Sequence, residues 1–259
     1  MKRVLLLALL ALQPLSVLAL TPEERGLEIA QEADRRDQGF IDSQAEMVMT
    51  LRNRQGDESV RYLRVKVLEV QGDGDKSLTI FDEPRDVKGT ALLTFSHGVD
   101  PDDQWLYLPA LKRVKRISSR NKSGPFMGSE FAYEDIGSQE VEKYTYKYLR
   151  DEVLDGKPTF VIERYPVDRN SGYTRQVVWM DQAEYIPLKI EFYDRKNALL
   201  KTLYFRDYRQ YLGKYWRAHA MYMENHQTGK STLLEWKNYR FQTGLDAKDF
   251  NRNSLKRAR

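Results

Sequence analysis

Cysteine is absent from the 259 residues. That excludes disulfides, thiol catalysis and the lipid-modified cysteine that tethers bacterial lipoproteins. Long hydrophobic runs are also missing: beyond the first nineteen residues nothing approaches the roughly 20 apolar residues of a spanning helix, so the remainder is expected to be soluble. No stretch rich in serine, proline or glycine divides the chain. There is no G-x-S-x-G elbow, no phosphate-binding glycine loop, no H-E-x-x-H and no dinucleotide fingerprint. Histidine occurs three times, at His97, His219 and His226. On a regular strand the last two lie an odd number of residues apart and face opposite ways, so they make no metal pair and are expected as satisfied or solvated side chains. No metal or other cofactor is implied.

What is present begins with "MKRVLLLALLALQPLSVLA", in which Lys2 and Arg3 precede an apolar run and Val17 and Ala19 occupy small-residue cleavage positions. This is the layout of a secretory signal over residues 1–19, with cleavage expected after Ala19. Removing Lys2 and Arg3 from the 42 basic residues leaves 40 against 38 acidic ones, a net +2. So balanced a chain is a poor candidate for binding nucleic acid, which calls for a strongly basic face. Residues 20–259 suffice for one domain burying roughly three quarters of its unfolded surface.

The pattern then divides into one helix and many strands. "TPEERGLEIAQEADRRDQG" has threonine and proline at its start, glycine at its end and sparse apolar positions at Leu27, Ile29, Ala30 and Ala33. That predicts an amphipathic helix of about four turns. From Gln44 the period becomes two. "EMVMTLRNR" alternates Met47, Met49 and Leu51 with polar neighbours, and "VRYLRVKVLEV" sets Leu63, Val65 and Val67 against Arg64 and Lys66. About eleven to thirteen such segments, separated by turn signals such as Asp155-Gly156 and Thr228-Gly229-Lys230, predict an antiparallel meander. One helix and a short central segment cannot cover a flat sheet of that size. A curved, unclosed antiparallel β-barrel with helical pieces over its mouth is therefore expected, presenting a concave apolar face.

Two groups superficially supply catalytic parts. Ser96-His97 precedes Asp100, Asp102 and Asp103, but neighbouring strand residues face apart and "HGVDPDDQ" reads as a surface loop. Glu130, Glu134 and Asp135 are the other group, and acidic residues near a short helix are usually solvated or capping. No catalytic residue is assigned.

The excess lies instead in aromatic and apolar strand residues. Sixteen tyrosines, ten phenylalanines and four tryptophans need somewhere to point. A filled core would satisfy them, while a cavity for an apolar ligand would use some of them as lining. Candidate lining residues on the early strands are Met47, Met49, Leu63, Val65, Trp105 and Tyr107. Further along they are Val177, Trp179, Ile190 and Phe192, and near the end Met221, Met223, Leu234 and Trp236. The methionines suit variable guests because a thioether side chain is flexible.

The central stretch "RISSRNKSGPFMGSEFAYEDIGS" interrupts the strands. Lys112, Arg113, Lys115, Arg116, Arg120 and Lys122 precede or open it and form a candidate patch for an anionic headgroup or a partner. Gly124 and Pro125 break the strand, and Ser129 is placed to cap a short helix beginning near Glu130. Phe126, Met127, Phe131 and Tyr133, with Leu27 and Ala30 of the helix, are the candidate lid, a mobile flap with its apolar side inward.

"DVKGTALLTF", "QWLYLPALKRVKRI" and "SGPFMGSEFAYEDI", in this order after an N-terminal helix, resemble the LolA-like family of outer-membrane lipoprotein-sorting proteins. The resemblance implies a LolA/LolB-type barrel with helices as a lid and a cavity for acyl chains. It also implies a periplasmic carrier that shuttles a lipid, lipoprotein or other acylated molecule between membranes, with transient membrane contact. An inner-membrane transporter of the resistance-nodulation-division type or an outer-membrane acceptor is the partner it suggests, and a monomer is expected. A lipid-sensing adaptor that regulates a membrane protein complex is the alternative, and a hydrolase of envelope lipids or glycans a more distant one.

Overall fold

The computed structural model describes residues 19–256, so the signal sequence and its cleavage site lie outside the described residues apart from Ala19. Helix α1 (Pro22–Asp37) starts where the sequence says it should. Thr21 and Glu24 form a reciprocal capping box, and Pro22 occupies the first turn, where no N–H partner is needed.

Six strands follow: β1 (Asp42–Arg52), β2 (Glu58–Leu68), β3 (Lys76–Glu83), β4 (Ala91–Phe95), β5 (Asp103–Leu108) and β6 (Arg113–Ile117). After the central segment come β7 (Tyr144–Leu154), β8 (Lys157–Pro166), β9 (Tyr173–Asp181), β10 (Pro187–Asp194), β11 (Leu199–Tyr211), β12 (Tyr215–Asn225) and β13 (Ser231–Phe241), then a single turn of helix, α2 (Arg252–Leu255). All thirteen strands belong to one antiparallel sheet in the order β6-β5-β4-β3-β2-β1-β13-β12-β11-β10-β9-β8-β7. The first strand pairs with the last, so the two meanders join through β1 and β13. The sheet then ends at β6 and β7, which stay apart. This is the unclosed barrel that the strand count and the scarcity of helix predict.

The helix covers one of the two edges. It packs chiefly along β7, and its contact residue there is Gly26, where an added Cβ would lie 2.8 Å from the Tyr148 backbone nitrogen. That close approach turns the helix away from the stripe expected of it. Ile29 and Ala30 are buried, whereas Leu27 is 39% exposed and does not act as part of a lid.

One continuous apolar cluster fills much of the concave side. It unites Met47, Met49, Leu63 and Val65 with Ile190, Phe192, Met223 and Leu234. The opposite face is not bare. Leu78, Ile80, Ala91 and Leu93 are buried there beneath Phe250 and Leu255 of the C-terminal tail. Being buried on both faces is why "SLTIF" and "ALLTF" are continuous apolar runs instead of alternating ones.

Candidate functional site

The central segment crosses the gap between the two edge strands and enters the barrel. Phe126 and Phe131 are 0% and 2% exposed and belong to the main core, Phe126 packing against Phe81 and Tyr133. No helix starts at Glu130. Single 3-10 turns at Phe126–Gly128 and Tyr133–Asp135 flank a tight bend, in which Ser129 Oγ donates to the Phe126 carbonyl at 2.7 Å.

The acidic residues after the bend tie it to strands across the barrel. Lys201 Nζ donates to Asp135 Oδ2 at 2.7 Å and to the Glu130 carbonyl at 2.8 Å, with both charged side chains over nine-tenths buried. Tyr173 donates its hydroxyl proton to Asp135 at 2.9 Å. Glu134 accepts from Ser171 Oγ and the Gly172 N–H, and Asn225 Nδ2 donates to Glu130. Arg61 donates to the Met127 carbonyl from β2. Burial pushes the Glu134 carboxyl up, with neighbouring Asp135 adding to it, and it also raises the Tyr173 hydroxyl. The segment is thus a fixed plug where a mobile flap was expected, because its flanking polar groups find buried partners on both halves of the sheet.

With that part of the interior filled, the open space lies beside it. A cavity of about 1310 Å³ is bounded by the C-terminal half of α1, the 69–75 turn, residues 137–141 and the inner faces of β7 to β13. Its apolar wall includes Ile162, Val178, Met180, Phe205, Met221 and Trp236. The Trp236 indole nitrogen is the one buried side-chain polar atom without a hydrogen-bond partner among the described residues.

Charged groups gather where α1 meets the 69–75 turn. Asp34, Asp37, Glu69, Asp75 and Glu140 line the cavity together with Lys214 and Arg217. Arg217 pairs with Asp37 at 2.5 Å. Burial, reinforced by Glu140, Glu69 and Asp37, pushes the Asp75 carboxyl up to about 7 although it accepts the Val70 N–H. Burial likewise raises Glu140 and Asp37. These acids hold protons more readily than ordinary carboxylates, which reduces the charge facing the cavity.

Several sequence candidates therefore lie elsewhere. Of the proposed lining residues, Met221 and Trp236 border the large cavity, and Val65 borders a smaller adjoining one of about 190 Å³. Met47, Met49, Leu63, Ile190, Phe192, Met223 and Leu234 are packed into the core. Trp105 and Tyr107 belong to the cluster on the opposite face with Phe250 and Leu255, and Val177 and Trp179 to another small cluster. Trp179 donates its indole N–H to Glu152 at 3.1 Å and lies under Lys189. The strand "QVVWMD" is apolar in both registers, and the bulkier set, Val177 and Trp179, faces away from Val178 and Met180, which line the cavity. Ala30 is the lid candidate that borders it.

The basic run divides as well. Lys112, Arg113, Lys115, Arg116 and Arg120 are exposed, and Arg116 pairs with Asp103. Lys122 is mostly buried in a 2.7 Å pair with Asp168. The histidines are bonded separately: His97 to Asp73 at 2.9 Å, His219 to Tyr211 and the Trp236 carbonyl, and His226 to Thr202. No group of three or more metal-ligating side chains occurs among the described residues.

Comparison with known proteins agrees with this architecture. A family model described as "Uncharacterized protein" matches residues 73–257, and no curated protein matches. A Vibrio parahaemolyticus domain, provisionally described as an outer membrane lipoprotein-sorting protein, is 66% identical, with a TM-score of 0.89 over 90% of this chain and 99% of that one. A DUF1329 family protein from Desulfovibrio piger is 32% identical, with a TM-score of 0.87 over 91% of this chain and 100% of the other. A LolA superfamily protein from Nitrosomonas europaea shares the fold at 23% identity, with a TM-score of 0.71 over 91% of this chain and all of that one. The chain belongs to the outer-membrane lipoprotein-sorting protein family of the first two relatives, and its fold is that of the LolA superfamily protein.

Proposed function

We propose that this protein is a periplasmic carrier that holds the acyl part of a lipid or lipoprotein in the cavity beside α1. The observation that carries the reading is the cavity itself. At about 1310 Å³ it exceeds the roughly 300–1,000 Å³ of small-molecule pockets, and Ile162, Val178, Met180, Phe205 and Met221 give it an apolar wall. Each methylene buried there contributes roughly 0.8 kcal/mol, so about ten of them offset a large part of what an acyl chain loses on leaving a bilayer. The plug fills the neighbouring interior, which directs the chain to one side of the barrel. Glu134 and Asp135 hold the plug in place, and His97 is paired with Asp73, so the groups that resembled catalytic parts have structural partners. An inner-membrane transporter of the resistance-nodulation-division type, or an outer-membrane acceptor, would complete the transfer cycle.

The test uses a fluorescent apolar probe, N-phenylnaphthylamine, titrated into delipidated protein. Saturable binding that a fatty acid displaces is expected. Phe205→Asp and Met221→Asp, which place a charge on the partly exposed wall, abolish it while the far-ultraviolet circular dichroism of the sheet persists. Probe binding unaffected by both substitutions contradicts this location.

A further inference from the structure

The uncovered edge of the sheet concentrates exposed positive charge. β7 is covered by α1, whereas β6 pairs only with β5. Charged side chains, lysine above all, keep an edge strand from pairing with another chain. Here Lys112, Arg113, Lys115 and Arg120 are all exposed, and none takes part in an ion pair among the described residues.

The neighbouring loop lies beside them and is itself charge-balanced. β4 starts at Ala91 opposite Tyr107, so the 84–90 loop emerges beside the turn between β5 and β6. It presents Arg85 and Lys88, exposed and likewise without ion pairs, against the carboxylates Glu83 and Asp86. Arg113 and Lys115 oppose Leu108 and Leu106 while Arg116 opposes Trp105, so cations project from both faces of the strand. At the tip of the same turn Leu111 is 67% exposed. An apolar tip ringed by cations matches a surface that is anionic outside and apolar beneath.

We propose that this end of the molecule docks on an anionic bilayer, with Leu111 entering the headgroup layer and Lys112, Arg113 and Lys115 holding lipid phosphates. The inference rests on the carrier reading only in that a carrier must meet a membrane.

Co-sedimentation of the full chain with vesicles tests it, using equal parts phosphatidylglycerol and phosphatidylcholine against phosphatidylcholine alone. Binding to the anionic vesicles, release by salt and little binding to the neutral ones are expected. A basic residue beside such a surface is worth about fivefold in binding, so Lys112→Gln, Arg113→Gln and Lys115→Gln together weaken it roughly a hundredfold. Lys237→Gln with Arg240→Gln, exposed on β13, leaves it unchanged. Equal binding to both vesicles, wild-type binding by the triple variant, or capture of an acidic protein with no vesicle binding each overturns the proposal. The two readings separate cleanly: a triple variant that still retains lipid but no longer docks supports this inference, whereas a chain that docks yet carries no lipid overturns the carrier alone.

Discussion

Asp75 offers a quantitative handle on the cavity wall. Its carboxyl is raised from 3.8 to about 7, first by burial and then by Glu140, Glu69 and Asp37. A group whose folded pKa lies above its unfolded one binds more protons in the folded state, so stability falls as pH rises from about 4 to about 7 and is level above that. Three pKa units correspond to about 4 kcal/mol at most. Asp75→Asn keeps an oxygen for the Val70 N–H and removes the titration. The variant is therefore more stable than the parent, and its advantage grows by up to about 3 kcal/mol between pH 5 and pH 8. Urea unfolding at a series of pH values measures this directly. Because the same carboxylate faces the cavity, the variant also holds an apolar probe more tightly than the parent at pH 8, with little difference at pH 5. A stability gain independent of pH, or a loss at pH 8, refutes the assignment of a raised carboxyl pKa at Asp75.

Other perturbations separate the plug from the cavity. Lys201→Ala leaves Asp135 buried without its cation and costs about 3–5 kcal/mol, whereas Lys201→Met with Asp135→Leu and Tyr173→Phe, which removes the hydroxyl that donates to Asp135, costs much less, as chemical denaturation reports. Phe126→Ala costs about 3–5 kcal/mol, so losses of folding and of ligand retention at this position run together, as in an ordinary core. Gly26→Ala drives a Cβ into the backbone of β7 and lowers stability by about 1–3 kcal/mol, with α1 amides exchanging faster. Leu27→Gln, by contrast, changes the free energy of unfolding by no more than about 0.5 kcal/mol either way.

Local chemistry made the elements legible. Period-two alternation, or a short apolar run between turn signals, marked the strands, and Thr21, Pro22 and Glu24 located the helix start, because those signals depend on neighbours in sequence. The strand count also implied an unclosed barrel. Which face of each strand turns inward was less accessible. Period two specifies two sets of residues, and it ranks them only where one set is polar, as at Leu63 and Val65. In β9 both sets are apolar, so Val177 and Trp179 looked as suitable as Val178 and Met180. The tail residues Phe250 and Leu255, which cover Leu78 and Leu93, gave no periodic signal by which to foresee a second buried face. The fixed plug was hidden for a related reason. Lys201 and Asp135 are 66 residues apart, and nothing in the neighbourhood of either announces a buried pair. Leu27 failed as a lid residue because a glycine one position earlier allowed the helix to approach β7 by its backbone.

The cavity beside α1 is proposed to hold acyl chains in the cell. This is tested most directly by extracting protein purified without detergent and identifying the released molecules by mass spectrometry. Acylated species are expected in near-stoichiometric amount, lost from Met221→Asp and retained by Lys112→Gln. Protein that comes out free of any acylated molecule, and that takes up none when incubated with membrane vesicles, contradicts it.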